Sequence, residues 1–273
     1  MIKGSTRVFG ILGQPVSHSL SPAMHNAAFQ ARGVNAVYVA FPVQNLEQAV
    51  LGLRGLNIGG VSVTIPFKEA IIPFLDEIEA KAAAMGAVNT VVNHEGRLKG
   101  SNTDYLGAIA ALKDHTEING QHFLVLGAGG AARAIAFGIQ AAGGRVTVSD
   151  IDWDRAQALA QEFKLEAIPL NALAQCPAPN LINATPVGMA PKVEDIPIDP
   201  NLLDRMALVM DIVYQPLQTR LLRESAARGG QTIDGLQMLV YQGAAQFELF
   251  TGQPAPVEVM RQAALQGLSL TSL

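Results

Sequence analysis

Three clusters of side chains in the first 105 residues could do chemistry on a hydroxylated, anionic small molecule. Ser17-His18-Ser19-Leu20-Ser21-Pro22 gathers hydroxyls at a predicted helix start. Ser62-Val63-Thr64-Ile65-Pro66-Phe67-Lys68 ends a predicted strand with two hydroxyls and an amine, and Ser101-Asn102-Thr103-Asp104 follows a predicted hairpin. Hydroxyls, amides and carboxylates donate to or accept from alcohols, while a lysine or a helix start takes a carboxylate. Taken singly, each has a plainer role: Ser21 or Asp104 as a helix cap, Lys68 as a solvated side chain, Asn89 as a turn former. Their position at strand ends, where open α/β sheets present ligands, is what makes them candidates together.

A fourth motif carries different chemistry. Gly127-Ala128-Gly129-Gly130-Ala131-Ala132 follows an apolar strand and opens an apolar helix. In such a GxGxxA turn Gly127 permits the tight bend, Gly129 lets the backbone approach a pyrophosphate, and Ala132 allows close helix packing. The helix start adds N–H donors and a positive dipole end, so a dinucleotide is the expected ligand. Asp150 ends the next strand, where a carboxylate would accept from a free ribose 2′-hydroxyl and repel a 2′-phosphate. Ile151-Asp152-Trp153-Asp154 adds no positive charge before Arg155. The expectation is therefore NAD, with NADP second, and with helix capping as the plainer job for Asp150.

The elements that must position these groups follow from apolar periodicity. Strands are predicted at Arg7 to Leu12, Val37 to Pro42 and Gly60 to Ile65, with helices from Ser21, over Leu46 to Leu53 and over Asp76 to Met85. Val88 to Asn93 and Arg97 to Gly100 form a hairpin, Gly96 permitting its turn. A helix follows at Tyr105 to His115. The pattern then restarts with strands at His122 to Leu126, Arg145 to Asp150, Ala167 to Ile168, Leu181 to Ala184 and Ala207 to Asp211, and closes with helices at Gln237 to Gly252 and Pro256 to Leu265. Strands alternating with helices imply mostly parallel sheets, an α/β fold in two domains. The restart after the helix at Tyr105 to His115 marks the domain boundary, and the glycine motif places the dinucleotide in the second domain.

Composition narrows the function classes. Of 273 residues, 49% are hydrophobic and 15% charged, which suits a large buried core. A net charge of -4 without a long basic run disfavours nucleic acid and anionic lipid. The lone cysteine, Cys176, cannot form an internal disulfide, the start lacks a signal-peptide core, and no apolar stretch is long enough to cross a bilayer, so a cytoplasmic protein is expected. The five histidines are never paired as HxH, HxxxH or HExxH, and no metal is expected.

The stretches SHSLSP, VSVTIPFK, GAVNT, NTDYLG, GAGGAARA, NATPVGM, DIVYQPLQTRLL and GLQMLVYQGAAQFELFTG, in this order and at this spacing, resemble the shikimate dehydrogenase family, which includes quinate dehydrogenases. The resemblance spans essentially the whole chain. It implies two α/β domains around a cleft: 1–105 for shikimate and catalysis, 106–236 as a Rossmann domain for a nicotinamide cofactor, and 237–273 as helices that return to the first domain. Ser19 and Ser21 match the hydroxyls that hold the substrate carboxylate, helped by the residue matching Tyr214. Thr64, Asn89 and Gln242 match residues on the ring hydroxyls. Lys68 and Asp104 match the catalytic pair, Lys68 as general acid/base and Asp104 orienting it. Gly127, Gly129, Gly130 and Ala131 match the pyrophosphate loop, with Ala128 between them, and Thr185, Ile212 and Gly235 fall on segments lining the rest of the cofactor site. Asp150 and Arg155, taken from the residues at and after the second strand's end, complete the expected cofactor contacts.

Two departures stand out. The family often has asparagine where this chain has Ser62, which should leave fewer or water-mediated contacts to ring hydroxyls. Asp150-Ile151-Asp152 replaces the asparagine-arginine-threonine of NADP-using members, which favours NAD. The resulting expectation is an oxidoreductase interconverting shikimate and 3-dehydroshikimate with NAD. The alternatives are quinate or another cyclic polyol acid, and a non-catalytic dinucleotide sensor, against which the retained Lys68 and Asp104 argue.

Overall fold

Runs of β-branched and apolar residues, each closed by glycine, proline or a polar cap, build two six-stranded sheets in the computed structural model, which describes residues 2–271. The chain divides into two units, residues 1–103 with 240–273, and residues 104–239.

In the first unit, β1 (Arg7–Gly13), α1 (Ser21–Ala31), β2 (Ala36–Pro42), α2 (Leu46–Gly55) and β3 (Gly60–Val63) make parallel α/β turns. Pro22 sits in the first turn of α1, where its missing N–H costs nothing, and Asn45 caps α2 by accepting from the Gln48 N–H. A short helix α3 (Phe67–Ala70) follows the Thr64 bend, then β4 (Glu77–Ile78), α4 (Ala80–Met85), β5 (Thr90–His94) and β6 (Arg97–Ser101). The sheet runs β2-β1-β3-β5-β6-β4, with β5 antiparallel to both β3 and β6. Glu95 and Gly96 turn the β5–β6 hairpin with φ of 52° and 87°, as a two-residue hairpin turn with positive φ at both positions requires. Leu12, Val61, Val63, Ile71, Val88, Val91 and Leu98 fill the core beneath.

The helix expected over Asp76 to Met85 is instead a strand followed by a helix. Glu77 and Ile78 pair with Lys99 and Gly100, and Asp76 accepts from the Leu98 N–H and from Arg54. Edge pairing outweighs the helical spacing of a segment too short to bury a helix face.

In the second unit, α5 (Asp104–Lys113) leads into β7 (His122–Leu126), α6 (Gly130–Ala141), β8 (Arg145–Ser149), α7 (Trp153–Phe163), β9 (Glu166–Ala167), β10 (Asn180–Asn183), β11 (Leu208–Asp211), α8 (Arg220–Ala227) and β12 (Gln231–Ile233). All pairings are parallel in the order β12-β11-β10-β7-β8-β9. β7, β10 and β11 are buried along their whole length, as central parallel strands are. The order reverses at β7, whose neighbours are β8 and β10, and ligands of open α/β sheets bind at such a switch point. Cys176 is packed in this unit's core with Leu124, Leu173, Leu181 and Val209.

The long α9 (Gly235–Thr251) contains the Leu239–Val240 division between the units, and α10 (Val257–Thr271) packs on α1 in the first unit. Phe247 and Phe250 of α9 join Phe9, Phe29, His25 and Tyr38 in an aromatic cluster on the first sheet. Among the described residues no helix is long and apolar enough to cross a membrane.

Candidate active site

The second unit brings four strand ends together. Gly127 leaves β7 at φ +111°, and a Cβ there would stand 3.0 Å from the Ala184 carbonyl oxygen, so the turn demands glycine. Gly129 starts α6 with no side-chain cap, and the nearest atom to a Cβ built on it is an Arg155 guanidinium nitrogen at 3.7 Å. Gly130 and Ala131 form the first turn of the helix. A helix start without a side-chain cap, with a guanidinium beside it, suits a dinucleotide's phosphates.

Asp150 does something other than expected. Its Oδ2 accepts from the Ala128 N–H at 2.7 Å and its Oδ1 from the Asp152 N–H at 2.9 Å. The carboxylate thus ties the glycine loop to the start of the next helix, and Asp152, not Asp150, caps α7.

The ends of β10 and β11 are joined by a buried network. The Asn183 amide donates to Asp211 Oδ1 at 3.0 Å and to the Val187 carbonyl, while its oxygen accepts from the Thr185 N–H and hydroxyl. Asp211 also accepts from the Val213 N–H at 3.0 Å and the Thr219 hydroxyl at 2.7 Å. Burial pushes the Asp211 carboxyl up to about 6, against the pull of these three donors. Thr185, Ile212 and Tyr214 are therefore held on fixed loops, and burial raises the Tyr214 phenol above its ordinary range. Gly235 starts α9 against the Ile212 carbonyl, which any Cβ would overlap.

In the first unit the polar residues converge on Asn89, just ahead of β5. Asn89 is buried and accepts at Oδ1 from the Thr103 N–H and the Thr90 hydroxyl, both at 2.7 Å. Its nitrogen donates to Thr103 Oγ1 at 3.0 Å and reaches Gln242 Oε1 at 3.5 Å. Thr64 is half-buried past the end of β3, its N–H donating to the Leu12 carbonyl, and Lys68 is half-buried on α3, its carbonyl accepting from the Val88 N–H. Ser19 accepts from the Ser21 N–H at the start of α1, and Ser21 is buried. Asp104, buried, opens α5 at the first residue of the second unit.

Ser62 is drawn into the protein. Its hydroxyl accepts from the Tyr38 phenol at 2.5 Å and donates to Gln246 Oε1 at 2.7 Å. Burial raises the Tyr38 phenol, with the Ser62 and Ser21 hydroxyls acting the other way. Tyr38, Thr90, Gln246, Asn183, Asp211 and Thr219 also belong to these networks, and the sequence reading does not single them out; Thr103, from the Ser101-Asn102-Thr103-Asp104 cluster, joins them. The i, i+4 spacing of Gln242 and Gln246, which sets both amides on one helix face, was the available signal.

Family descriptions match both ends of the chain, the shikimate dehydrogenase substrate binding domain over residues 11–91 and the shikimate 5′-dehydrogenase C-terminal domain over residues 235–265. The protein named shikimate dehydrogenase (NADP(+)) of Pyrococcus furiosus is 47% identical over 98% of this chain and 98% of its own. The protein of that name from Symbiobacterium thermophilum is 45% identical over 97% of this chain and 96% of its own. The crystal structure of shikimate 5-dehydrogenase from Thermus thermophilus, in complex with NADP(H) and shikimate, is 42% identical with a TM-score of 0.89, covering 96% of this chain and 99% of that one.

These findings overturn the expectation of NAD: the relatives' names specify NADP(+), and the Thermus structure holds NADP(H). The expectation took Asp150 for a ribose ligand, whereas in the structure it ties backbone N–H groups together, and it counted no positive charge before Arg155, whereas the Arg155 guanidinium itself stands beside the glycine loop. Matched over nearly its whole length by relatives at 40–47% identity, the chain belongs to the shikimate dehydrogenase family.

Proposed function

We propose that this protein is an oxidoreductase that interconverts shikimate and 3-dehydroshikimate with NADP(H). The observation that carries the reading is the convergence of Asn89, Thr103 and Gln242 in the first unit, a buried set of amides and a hydroxyl suited to ring alcohols. Ser19 and Ser21, at the start of α1, take the substrate carboxylate, with Tyr214 assisting. Thr64, Asn89 and Gln242 hold ring hydroxyls. Gly127, Ala128, Gly129, Gly130 and Ala131 receive the diphosphate, Arg155 supplies positive charge for the 2′-phosphate, and Thr185, Ile212 and Gly235 line the remainder.

NADP+, when bound, supplies the hydride acceptor. Lys68 accepts the proton of the reacting hydroxyl as the carbinol carbon loses its hydride, and returns it in the reverse direction. Asp104 orients that hydroxyl and the amine. Ser62 serves the site indirectly, since its proton is already committed to Gln246. Neither a metal nor a macromolecular partner is required, and a cytoplasmic location suits the reaction.

An assay grid of shikimate and quinate against NADP+ and NAD+ tests the proposal. Turnover highest with shikimate and NADP+ is expected. No cofactor reduction above background with any pair would refute it, and higher kcat/KM with quinate would redirect the substrate assignment, because one further ring hydroxyl must find a partner.

A further inference from the structure

The chain of hydrogen bonds that runs from Tyr38 to Asn89 has a direction, and Gln246 sets it. Ser62 and Thr90 are directly opposed on the antiparallel strands β3 and β5, so their hydroxyls share one face of the sheet. Gln246 of α9 lies over both, 1% exposed. Its nitrogen donates to the Asn89 carbonyl at 3.2 Å and to Thr90 Oγ1 at 3.1 Å, and its oxygen accepts from Ser62 at 2.7 Å.

Each group in the chain has only one consistent role. The Asn89 carbonyl can only accept, so the Gln246 nitrogen must face it and the oxygen must face Ser62. Ser62 therefore spends its proton on Gln246, and the Tyr38 phenol must donate to Ser62. Thr90 receives a proton from Gln246 and is left to give its own to Asn89 Oδ1. At Asn89 the Thr103 N–H, a donor with no acceptor capacity, confirms that the oxygen points inward. The carboxamide nitrogen then donates to Thr103 Oγ1 at 3.0 Å and also reaches Gln242, one helical turn before Gln246 on α9, at 3.5 Å. That separation is at the limit of a hydrogen bond.

We propose that Gln246 is a positioning residue which, through Ser62 and Thr90, locks the Asn89 carboxamide with its nitrogen presented as donor to a substrate ring hydroxyl. The hydroxyl accepts from Asn89 Nδ2 and donates to Gln242 Oε1, replacing the long contact between the two amides. Gln246 thereby supplies from α9 the amide that the short Ser62 lacks. Its two donor bonds to Asn89 and Thr90 set Gln242 and Asn89 in register, since α9 and β5 are joined at this point. His25 completes the arrangement by stacking on Tyr38 at 4.3 Å between ring centroids and 8° between planes, which fixes the phenol donor. The inference rests on the reading that Asn89 and Gln242 hold a ring hydroxyl.

Steady-state kinetics of three variants with the full chain test it. Gln246→Glu keeps the shape and the acceptor for Ser62, but its carboxylate has no proton for the Asn89 carbonyl or Thr90. Gln246→Met keeps the length and removes both roles. Each is expected to raise KM for shikimate by about ten-fold, the scale of one lost oriented hydrogen bond, with KM for NADP+ unchanged. Tyr38→Phe removes a single oxygen at the far end of the chain and should raise KM for shikimate by about three-fold. It also keeps the test open if the Gln246 variants do not fold. Asn89→Ala serves as the control for the underlying reading. If Asn89→Ala leaves KM for shikimate unchanged, the substrate role of Asn89 fails. If Asn89→Ala raises that KM while the Gln246 variants, or the Tyr38 variant where these do not fold, leave it at the wild-type value, the positioning role alone is overturned.

Discussion

Replacing Asp211 by asparagine should change how the second unit's stability depends on pH, and the size of the change follows from the structure. Asp211 is fully buried at the end of β11, and burial pushes its carboxyl up to about 6 despite donors from Asn183, Val213 and Thr219. In the unfolded chain an aspartate titrates near 4. Between about pH 4 and 6 the folded protein thus holds one proton more than the unfolded, and stability falls as pH rises, by about 1.4 kcal/mol per pH unit. Over that window the wild type should lose about 3 kcal/mol that the Asp211→Asn variant does not lose. Asp76, Glu77 and Glu224 are held low by Arg54, Lys99 and Arg228, and they titrate in the opposite sense. Being the same in both proteins, they cancel in the difference. The sole tryptophan, Trp153, starts α7 in the same unit, so its fluorescence during urea denaturation reports on the unit that contains Asp211. The stability of wild type relative to variant should fall by about 3 kcal/mol from pH 4 to pH 7. A flat difference would show that Asp211 ionises as it does in water, and a rising one that its donors overcome burial.

Lys68→Ala should lower kcat by about two to four powers of ten with a smaller change in KM, as lost acid/base catalysis does; near-normal turnover would remove Lys68 from that role. Gly127→Ala forces a Cβ toward the Ala184 oxygen at a φ of +111°. It should destabilise the second unit by about 1–3 kcal/mol, read by Trp153 fluorescence, and unchanged stability would mean that the turn relaxes freely. Asp150→Ala releases the Ala128 and Asp152 N–H groups, and KM for NADP+ should rise by about ten-fold with KM for shikimate unchanged. An unaltered KM for NADP+ would show that the loop holds its shape without this tie.

The parts of the fold legible in the sequence were those governed by local rules. β1, the β5–β6 hairpin and the β7–α6–β8 unit announce themselves by apolar runs closed with glycine, and each forms where those residues stand. β4 did not, because two residues at a sheet edge are held by partners about twenty residues away, Lys99 and Gly100. The same distinction separates the readings of the site. The need for glycine at 127 is a property of one backbone angle and can be read from a motif. Asp150 sits where a ribose-binding carboxylate would sit, yet each of its oxygens also accepts from a backbone N–H, those of Ala128 and Asp152, and no spacing rule gives that. Ser62 looked like a site residue weakened by shortness. Its true surroundings, Tyr38 and Gln246, lie 24 and 184 residues away in sequence, so only the folded chain shows where its proton goes.

The lone cysteine offers a practical consequence. Cys176 is 1% exposed within the packed interior of the second unit, and the chain has no other thiol. A maleimide or other thiol reagent should therefore ignore the native protein and react with any cysteine introduced on its surface, giving one label at one chosen place. Run the other way, the rate at which the native thiol becomes reactive in mild denaturant clocks the opening of that interior directly, with no need for a second chromophore.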